Sequence, residues 1–108
     1  MNVWLYMAQR LSALVMAPLV IGHIALMILA ARNGLTAGEI LARTQGSLLW
    51  AGYYGLFVLA VSIHAAIGLR TIASETFRWH GRALDLMAIA VAAGLALMGG
   101  RAIIAVIA

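Results

Sequence analysis

The sequence contains no cysteine and no lysine, and its 108 residues include only three acidic residues and one proline. The absence of cysteine excludes disulfides, cysteine-ligated zinc and cysteine-ligated iron–sulfur clusters. Any electron transfer by this protein therefore depends on a cofactor held by histidine, or on another chain that delivers the electrons.

Charge is sparse, whereas apolar residues are abundant. The formal net charge is +4, and the basic residues other than histidine are seven arginines scattered along the chain. Because they form no basic run, nucleic acid is not an expected partner. Hydrophobic residues make up 66% of the chain, against roughly 45–50% in a typical soluble domain. Charged residues fall mostly between apolar stretches, which is typical of an integral membrane protein.

Three apolar stretches predict three transmembrane helices, at residues 11–31, 47–73 and 83–107. At about 1.5 Å per residue, each is long enough to cross a hydrocarbon core about 30 Å thick. In lipid the backbone must satisfy its own hydrogen bonds, so these stretches are expected to be helices. The sequence predicts an all-α integral membrane fold with a single membrane-anchor domain over residues 1–108.

The segments outside these helices are short. Residues 1–10 are expected to form an interfacial lead-in, with Trp4 and Tyr6 at the depth of the lipid headgroups. Residues 32–46 and 74–82 are expected to be polar loops. Three thin helices bury few side chains among themselves, so the chain is expected to form part of a multi-subunit helical bundle.

The arginines are divided four to three between the two ends of the predicted bundle. At the end that carries the N-terminus lie Arg10, Arg70, Arg78 and Arg82, and at the other end lie Arg32, Arg43 and Arg101. Together with the terminal amine, this asymmetry favours a cytoplasmic N-terminus.

Ionisable side chains inside membrane spans are candidates for function. His64 has small residues around it in the helix, namely Ala60, Ala65, Ala66 and Gly68. Small neighbours clear space for a flat macrocycle, and imidazole is a usual ligand of haem iron. From spacing alone, a histidine that hydrogen-bonds to a neighbouring carbonyl fits equally well.

Arg10 and Arg70 are expected at the same membrane surface, because consecutive helices run antiparallel. The guanidinium group of arginine is planar and carries several N–H donors, so it is suited to binding anionic groups. The two guanidinium groups could therefore bind haem propionates, a quinone carbonyl or lipid phosphates. The alternative is that both side chains extend to the lipid headgroups.

His23 lies thirteen residues after Arg10, about 20 Å further along the helix. Antiparallel geometry places it near the depth of residue 57, about 10 Å deeper than His64. The two histidines are thus poorly placed to bind one iron, and an opposite ligand for His64 is expected from another subunit. For His23 the alternatives are a ligand of a second, deeper haem and a polar contact with the protein, and the polar contact is expected.

Three motifs occur in a recognisable order along the chain. Residues 9–13 (QRLSA) resemble a His-Arg-x-Ser-Gly pattern that opens the first helix, and residues 64–70 (HAAIGLR) resemble a His-x-x-x-Gly-Ile-Arg pattern. Residues 75–77 (ETF) and 81–82 (GR) resemble the loop before the third helix. Together they are similar to the small cytochrome b membrane-anchor subunits of succinate dehydrogenase and fumarate reductase.

The resemblance implies roles for individual residues. His64 would be an axial ligand of haem b, with the second ligand from a sister membrane-anchor subunit. Arg70 would lie near the haem propionates, and Arg10 would help to form the quinone pocket. Tyr6 stands where the family often has a serine that lines the quinone site, and Tyr6 and Ser12 are candidate hydrogen-bond donors to quinone.

The sequence also departs from the family pattern. Gln9 stands where the family motif has a histidine, which removes one expected propionate contact. Residues 64–68 also resemble the haem-ligand stretch of the sister subunit. Residues 68–70 and the Gln9-Arg10 pair favour the C-type anchor over the D-type. Some members of the family carry no haem, and some carry two.

The resemblance further implies partners and a location. The expected partners are the sister anchor, an iron–sulfur subunit, a flavoprotein subunit and membrane lipids. The chain would be a non-autonomous subunit of a succinate:quinone oxidoreductase in the inner (cytoplasmic) membrane. It would act in electron transport at the junction of the tricarboxylic acid cycle and the respiratory chain.

Two other functions are considered. A cofactor-free anchor or assembly subunit would have the same fold, and the sequence does not distinguish it. A small transporter-like oligomer would need an acidic or proton-relaying residue in mid-span. Apart from His64, the mid-span ionisable residue is His23, and no carboxylate lies deep in a span.

Overall fold

The computed structural model describes residues 3–34 and 36–108. Over these residues it contains four α-helices and no strand. They are α1 (Val3–Asn33), α2 (Ala37–Thr44), α3 (Leu48–Phe77) and α4 (Arg82–Ile107). The helices α1, α3 and α4 are long and apolar enough to cross a membrane, which confirms the predicted all-α membrane-spanning architecture.

The observed helix bounds correct the prediction at the N-terminus. Helix α1 begins at Val3, so most of the expected interfacial lead-in is helical and continuous with the first span. No glycine or proline occurs between Val3 and Arg10 to interrupt it. With 31 residues, α1 is about 46 Å long, which exceeds the hydrocarbon thickness and requires tilting or extension beyond it.

Helix α2 lies in the segment that was expected to be a loop. Its N-cap is Thr36, whose Oγ1 accepts a hydrogen bond of 3.2 Å from the Glu39 backbone N–H. Threonine followed three residues later by glutamate is the sequence signature of a capping box. The signal for α2 was therefore present in the sequence.

Helix α2 is fixed to the C-terminal end of α4. The Thr44 hydroxyl donates to the Val106 carbonyl at 2.8 Å, and the Gly46 backbone N–H donates to the Ile107 carbonyl at 2.8 Å. The last carbonyls of a helix have no partner within it, so these bonds satisfy groups that would otherwise be unpaired.

Helix α3 packs against both α1 and α4. On the α4 side, a Cβ added to Gly99 would lie 2.6 Å from Val58 Cγ1. On the α1 side, a Cβ on Gly22 would lie 2.6 Å from the Tyr53 hydroxyl, which donates to the Leu19 carbonyl at 2.6 Å. At Gly99 a side chain would force the two helices apart, whereas at Gly22 it would displace the Tyr53 hydroxyl from its position beside α1.

Few side chains are buried within the chain. The buried apolar residues are Ala60, Ala66, Ile67, Ala73 and Leu84. Large apolar side chains remain exposed along all three long helices, among them Trp4 at 82% and Leu48 at 88%. An apolar surface of this extent suits contact with lipid or with further membrane helices.

Candidate functional site

His64 faces α1, where Ser12 contacts its ring. The Ser12 Oγ lies 3.4 Å from His64 Nδ1 and donates a hydrogen bond of 2.9 Å to the Gln9 carbonyl. Ser12 is buried, and His64 is half-buried. Among the described residues, His64 has a hydrogen-bonding partner at Nδ1, and none contacts Nε2 in this way.

Gln9 lies one helical turn before Ser12, beside Gly68 of α3. A Cβ on Gly68 would lie 3.4 Å from Gln9 Nε2. The Gln9 Oε1 is buried and has no hydrogen-bond partner in the described part of the chain. Buried amides are almost always paired, so a polar group from a ligand, a water or another subunit fits beside Gln9.

The small residues around His64 fall into a buried pair and a half-buried pair. Ala60 and Ala66 are only 4% and 6% exposed, so neighbouring helices cover them. Ala65 and Gly68 are half-buried. The predicted clearance for a macrocycle is therefore correct at most for Ala65 and Gly68, because the other two positions are occupied by helix packing.

Arg10 and Tyr6 form a pair on the exposed surface of α1. Arg10 Nη1 donates to the Tyr6 hydroxyl at 3.2 Å, and the guanidinium carbon lies 5.6 Å from the ring centroid of Tyr6. Residues four apart share one face of a helix. Because Tyr6 accepts from Arg10, its own hydroxyl hydrogen is available for donation.

Ser12 does not share this surface. It lies two residues after Arg10, which is a rotation of about 200° around the helix. Ser12 is buried at 7% exposure, and its hydroxyl is engaged with Gln9 and His64. The three residues expected at the quinone site thus divide into an exposed pair, Tyr6 and Arg10, and a buried serine beside His64.

Arg70 is held by Asp85 of α4. Its Nε and Nη2 each lie 2.9 Å from Asp85 Oδ1. Asp85 also lies in the first turn of α4, where a carboxylate suits the helix N-terminus. Its bond to Arg70 was missed because it depends on how α3 and α4 are rotated toward each other. Arg10 has no acidic partner among the described residues.

We expect the Arg70–Asp85 pair to stabilise the α3–α4 contact by about 0.2–1 kcal/mol, because both side chains are partly exposed. A double-mutant cycle with Arg70→Gln and Asp85→Asn, read by unfolding of the detergent-solubilised protein, measures this coupling. A coupling energy of zero would show that the pair has no stabilising role.

His23 lies toward the other end of the bundle. Its ring makes edge-to-face contacts with Tyr54 and Phe57, with centroid distances of 6.0 Å and 5.2 Å. The expected polar contact is not found among the described residues, where Nδ1 is buried without a partner. His23 and Arg43 of α2 both line a cavity of about 570 Å³.

The two histidines are well separated in depth. His64 lies beside Ser12, and Ser12 and His23 are eleven residues apart on α1, about 16 Å along the axis. One iron could not bind both rings, as the antiparallel arrangement predicted. Over residues 3–34 and 36–108, no three histidine, aspartate or glutamate side chains come together as a metal site.

Three membrane-spanning helices with histidine and arginine inside them define a helical integral membrane protein of the kind that assembles with further helices. A model of the succinate dehydrogenase/fumarate reductase transmembrane subunit family matches residues 1–104. The chain therefore belongs to this family, as its motifs predicted. A comparison with curated proteins found no match, and a comparison with solved structures also found none.

Proposed function

We propose that this transmembrane subunit binds haem b through His64 and contributes Arg10 and Tyr6 to a quinone site. Membership of the family supports the part of the proposal that makes this chain a subunit of a succinate dehydrogenase or fumarate reductase complex. The haem and the quinone site are inferred from the arrangement of these three side chains. The observation that carries the proposal is the half-buried imidazole of His64, which is held at Nδ1 and whose Nε2 has no hydrogen-bond partner in the described part of the chain.

His64 fits the requirements of an axial ligand. An ionisable residue within a span is costly and calls for a function, and a neutral imidazole with an unpaired ring nitrogen is a usual ligand of haem iron. The unpaired amide oxygen of Gln9 nearby offers a place for a polar group of the cofactor. Bound there, a haem would supply a one-electron carrier within the membrane.

The second axial ligand is proposed to come from a sister anchor subunit. His23 is about 10–16 Å away in depth, as counted along α3 and α1, and contacts Tyr54 and Phe57 instead. The large exposed apolar surface of the chain provides the area on which a sister subunit would pack. We further propose that the chain is the C-type anchor, because residues 68–70 and the Gln9-Arg10 pair resemble the motifs of that anchor type.

Arg10 and Tyr6 are suited to the reduction of a quinone, which takes up two electrons and two protons. The Tyr6 hydroxyl can donate to a quinone carbonyl oxygen while it accepts from Arg10. The guanidinium of Arg10 stabilises the negative charge that develops on that oxygen. Both side chains are exposed, so a membrane-soluble quinone can reach them.

Arg70 is proposed to contact a haem propionate through Nη1, since its Nε and Nη2 are held by Asp85. We propose that Ser12 contacts His64 and does not bind quinone, because its hydroxyl is already hydrogen-bonded within the helix bundle. Arg10 and Arg70 lie toward the same end of the bundle as His64, because Arg10 is two residues from Ser12 on α1 and Arg70 is six residues from His64 on α3.

The electrons are proposed to come from a flavoprotein subunit through an iron–sulfur subunit, because this chain has no cysteine for a cluster of its own. The iron–sulfur subunit would dock at the end of the bundle that carries Arg10, Arg70, Arg78 and Arg82. We propose the inner (cytoplasmic) membrane as the location of the chain, and the arginine distribution supports a cytoplasmic N-terminus.

Purification of the complex through an affinity tag on this chain tests the proposal. We expect a flavoprotein, an iron–sulfur protein and a second small anchor to co-purify, with succinate-dependent quinone reduction and b-type bands in the reduced-minus-oxidised spectrum. Quinone reduction by a complex without haem would favour the cofactor-free anchor. Isolation of the chain without a dehydrogenase would contradict the proposal and favour a transporter-like oligomer.

A further inference from the structure

We propose that Ser12 is a positioning residue that holds the His64 ring in the tautomer protonated at Nδ1, so that Nε2 is the atom left to bind metal. This inference rests on the proposed function, in which His64 is an axial ligand. It goes beyond the proposed function because it gives Ser12 on α1 a role in determining which ring nitrogen of His64 on α3 carries the hydrogen.

The argument starts from the single hydrogen of the Ser12 hydroxyl. A serine hydroxyl donates one hydrogen bond and accepts up to two. The Ser12 hydroxyl donates to the Gln9 carbonyl at 2.9 Å, which is a shorter contact than the 3.4 Å to His64 Nδ1. With its hydrogen used, the Ser12 oxygen can only accept from His64, and Nδ1 must therefore carry the hydrogen.

Protonation at Nδ1 decides what Nε2 can do. In a neutral imidazole one nitrogen carries the hydrogen and the other has a free lone pair. An Nδ1–H donated to Ser12 leaves the lone pair on Nε2, the nitrogen without a partner among the described residues. If Ser12 instead donated to Nδ1, the hydrogen would lie on Nε2, and this nitrogen could not bind iron.

The burial of Ser12 makes the arrangement specific. Ser12 is 7% exposed, and its hydroxyl oxygen is bonded to its own helix at Gln9 while it lies within hydrogen-bond distance of His64 on α3. Metal-binding histidines commonly donate their second ring N–H to such a partner, and loss of the partner typically weakens metal binding about 10- to 100-fold.

The chain offers a matched control at Ser62 of α3. Ser62 is also buried, at 4% exposure, and its hydroxyl donates to the Val58 carbonyl of the same helix at 2.7 Å. Ser62→Ala therefore deletes a buried hydroxyl that is bonded to its own helix, and whose described hydrogen bond is to Val58 and not to His64. Ser12→Thr keeps the hydroxyl and serves as the conservative variant.

In the purified complex we expect Ser12→Ala to weaken haem retention about 10- to 100-fold and to change the low-spin haem EPR signal. Ser12→Thr and Ser62→Ala should remain close to the unmodified complex in both readouts. Equal effects of Ser12→Ala and Ser62→Ala would overturn the inference, because both would then report only lost packing.

A second measurement reads the tautomer without haem. In the full-length chain labelled with ¹⁵N-histidine in detergent, we expect the His64 signals of a protonated Nδ1 and an unprotonated Nε2, assigned by their absence in His64→Ala. We expect Ser12→Ala to lose this preference. A protonated Nε2 in the unmodified chain would refute the inference, whereas a complex without haem would refute only the proposed function.

Discussion

Replacing His64 with alanine is expected to abolish the b-type haem of the purified complex. Alanine removes the imidazole that contacts Ser12 through Nδ1, and the other histidine described within a span, His23, lies deeper in the bundle, against Tyr54 and Phe57. The measurement is the reduced-minus-oxidised optical spectrum per assembled complex, with assembly checked by co-purification of the other subunits.

His23→Ala is the matched control for this experiment. It removes an imidazole from a membrane span of the same chain, at a position that contacts Tyr54 and Phe57 rather than Ser12. We expect this variant to keep its b-type bands. Bands that survive in His64→Ala, or that disappear equally in both variants, would show that His64 is not the ligand.

Replacing Arg10 with alanine is expected to reduce quinone reduction about 100-fold or more, which is the usual effect of removing one group that stabilises a developing oxyanion. The Tyr6 hydroxyl loses its partner in the same variant. Succinate oxidation with a soluble artificial acceptor should be unchanged, because that reaction does not use the membrane quinone site.

The control for Arg10 is Arg101→Ala, which removes another exposed arginine from the opposite end of the bundle. We expect both activities of this control to be unchanged. If Arg10→Ala lowers quinone reduction and artificial-acceptor reduction together, Arg10 stabilises the assembly instead. If neither falls, the quinone binds elsewhere.

The membrane-spanning helices were predictable because the length and apolarity of a span are set by the bilayer and read directly from the sequence. The start of α1 could not be predicted, since the same residue types occur both in segments at the membrane surface and within a membrane-spanning helix. Helix α2 was overlooked because its apolar content is low, although Thr36 and Glu39 form a capping-box pattern.

The sequence predicted the depth of the site residues in the membrane, but it did not predict which neighbouring helix each side chain faces. The antiparallel order of the helices correctly separated His23 from His64 along the membrane normal. The contacts of Ser12 with His64, and of Asp85 with Arg70, depend on the rotation of each helix about its own axis. This rotation is fixed by packing, for example where Gly99 meets Val58, and the motifs do not reveal it.

The most direct test of the account is a structure of the purified complex that resolves the surroundings of His64. The account predicts a porphyrin iron at bonding distance from His64 Nε2, with the Ser12 hydroxyl at Nδ1 and an imidazole of a second anchor chain on the opposite face. A fully assembled complex in which the His64 ring contacts only protein, with no porphyrin beside it, would contradict the account.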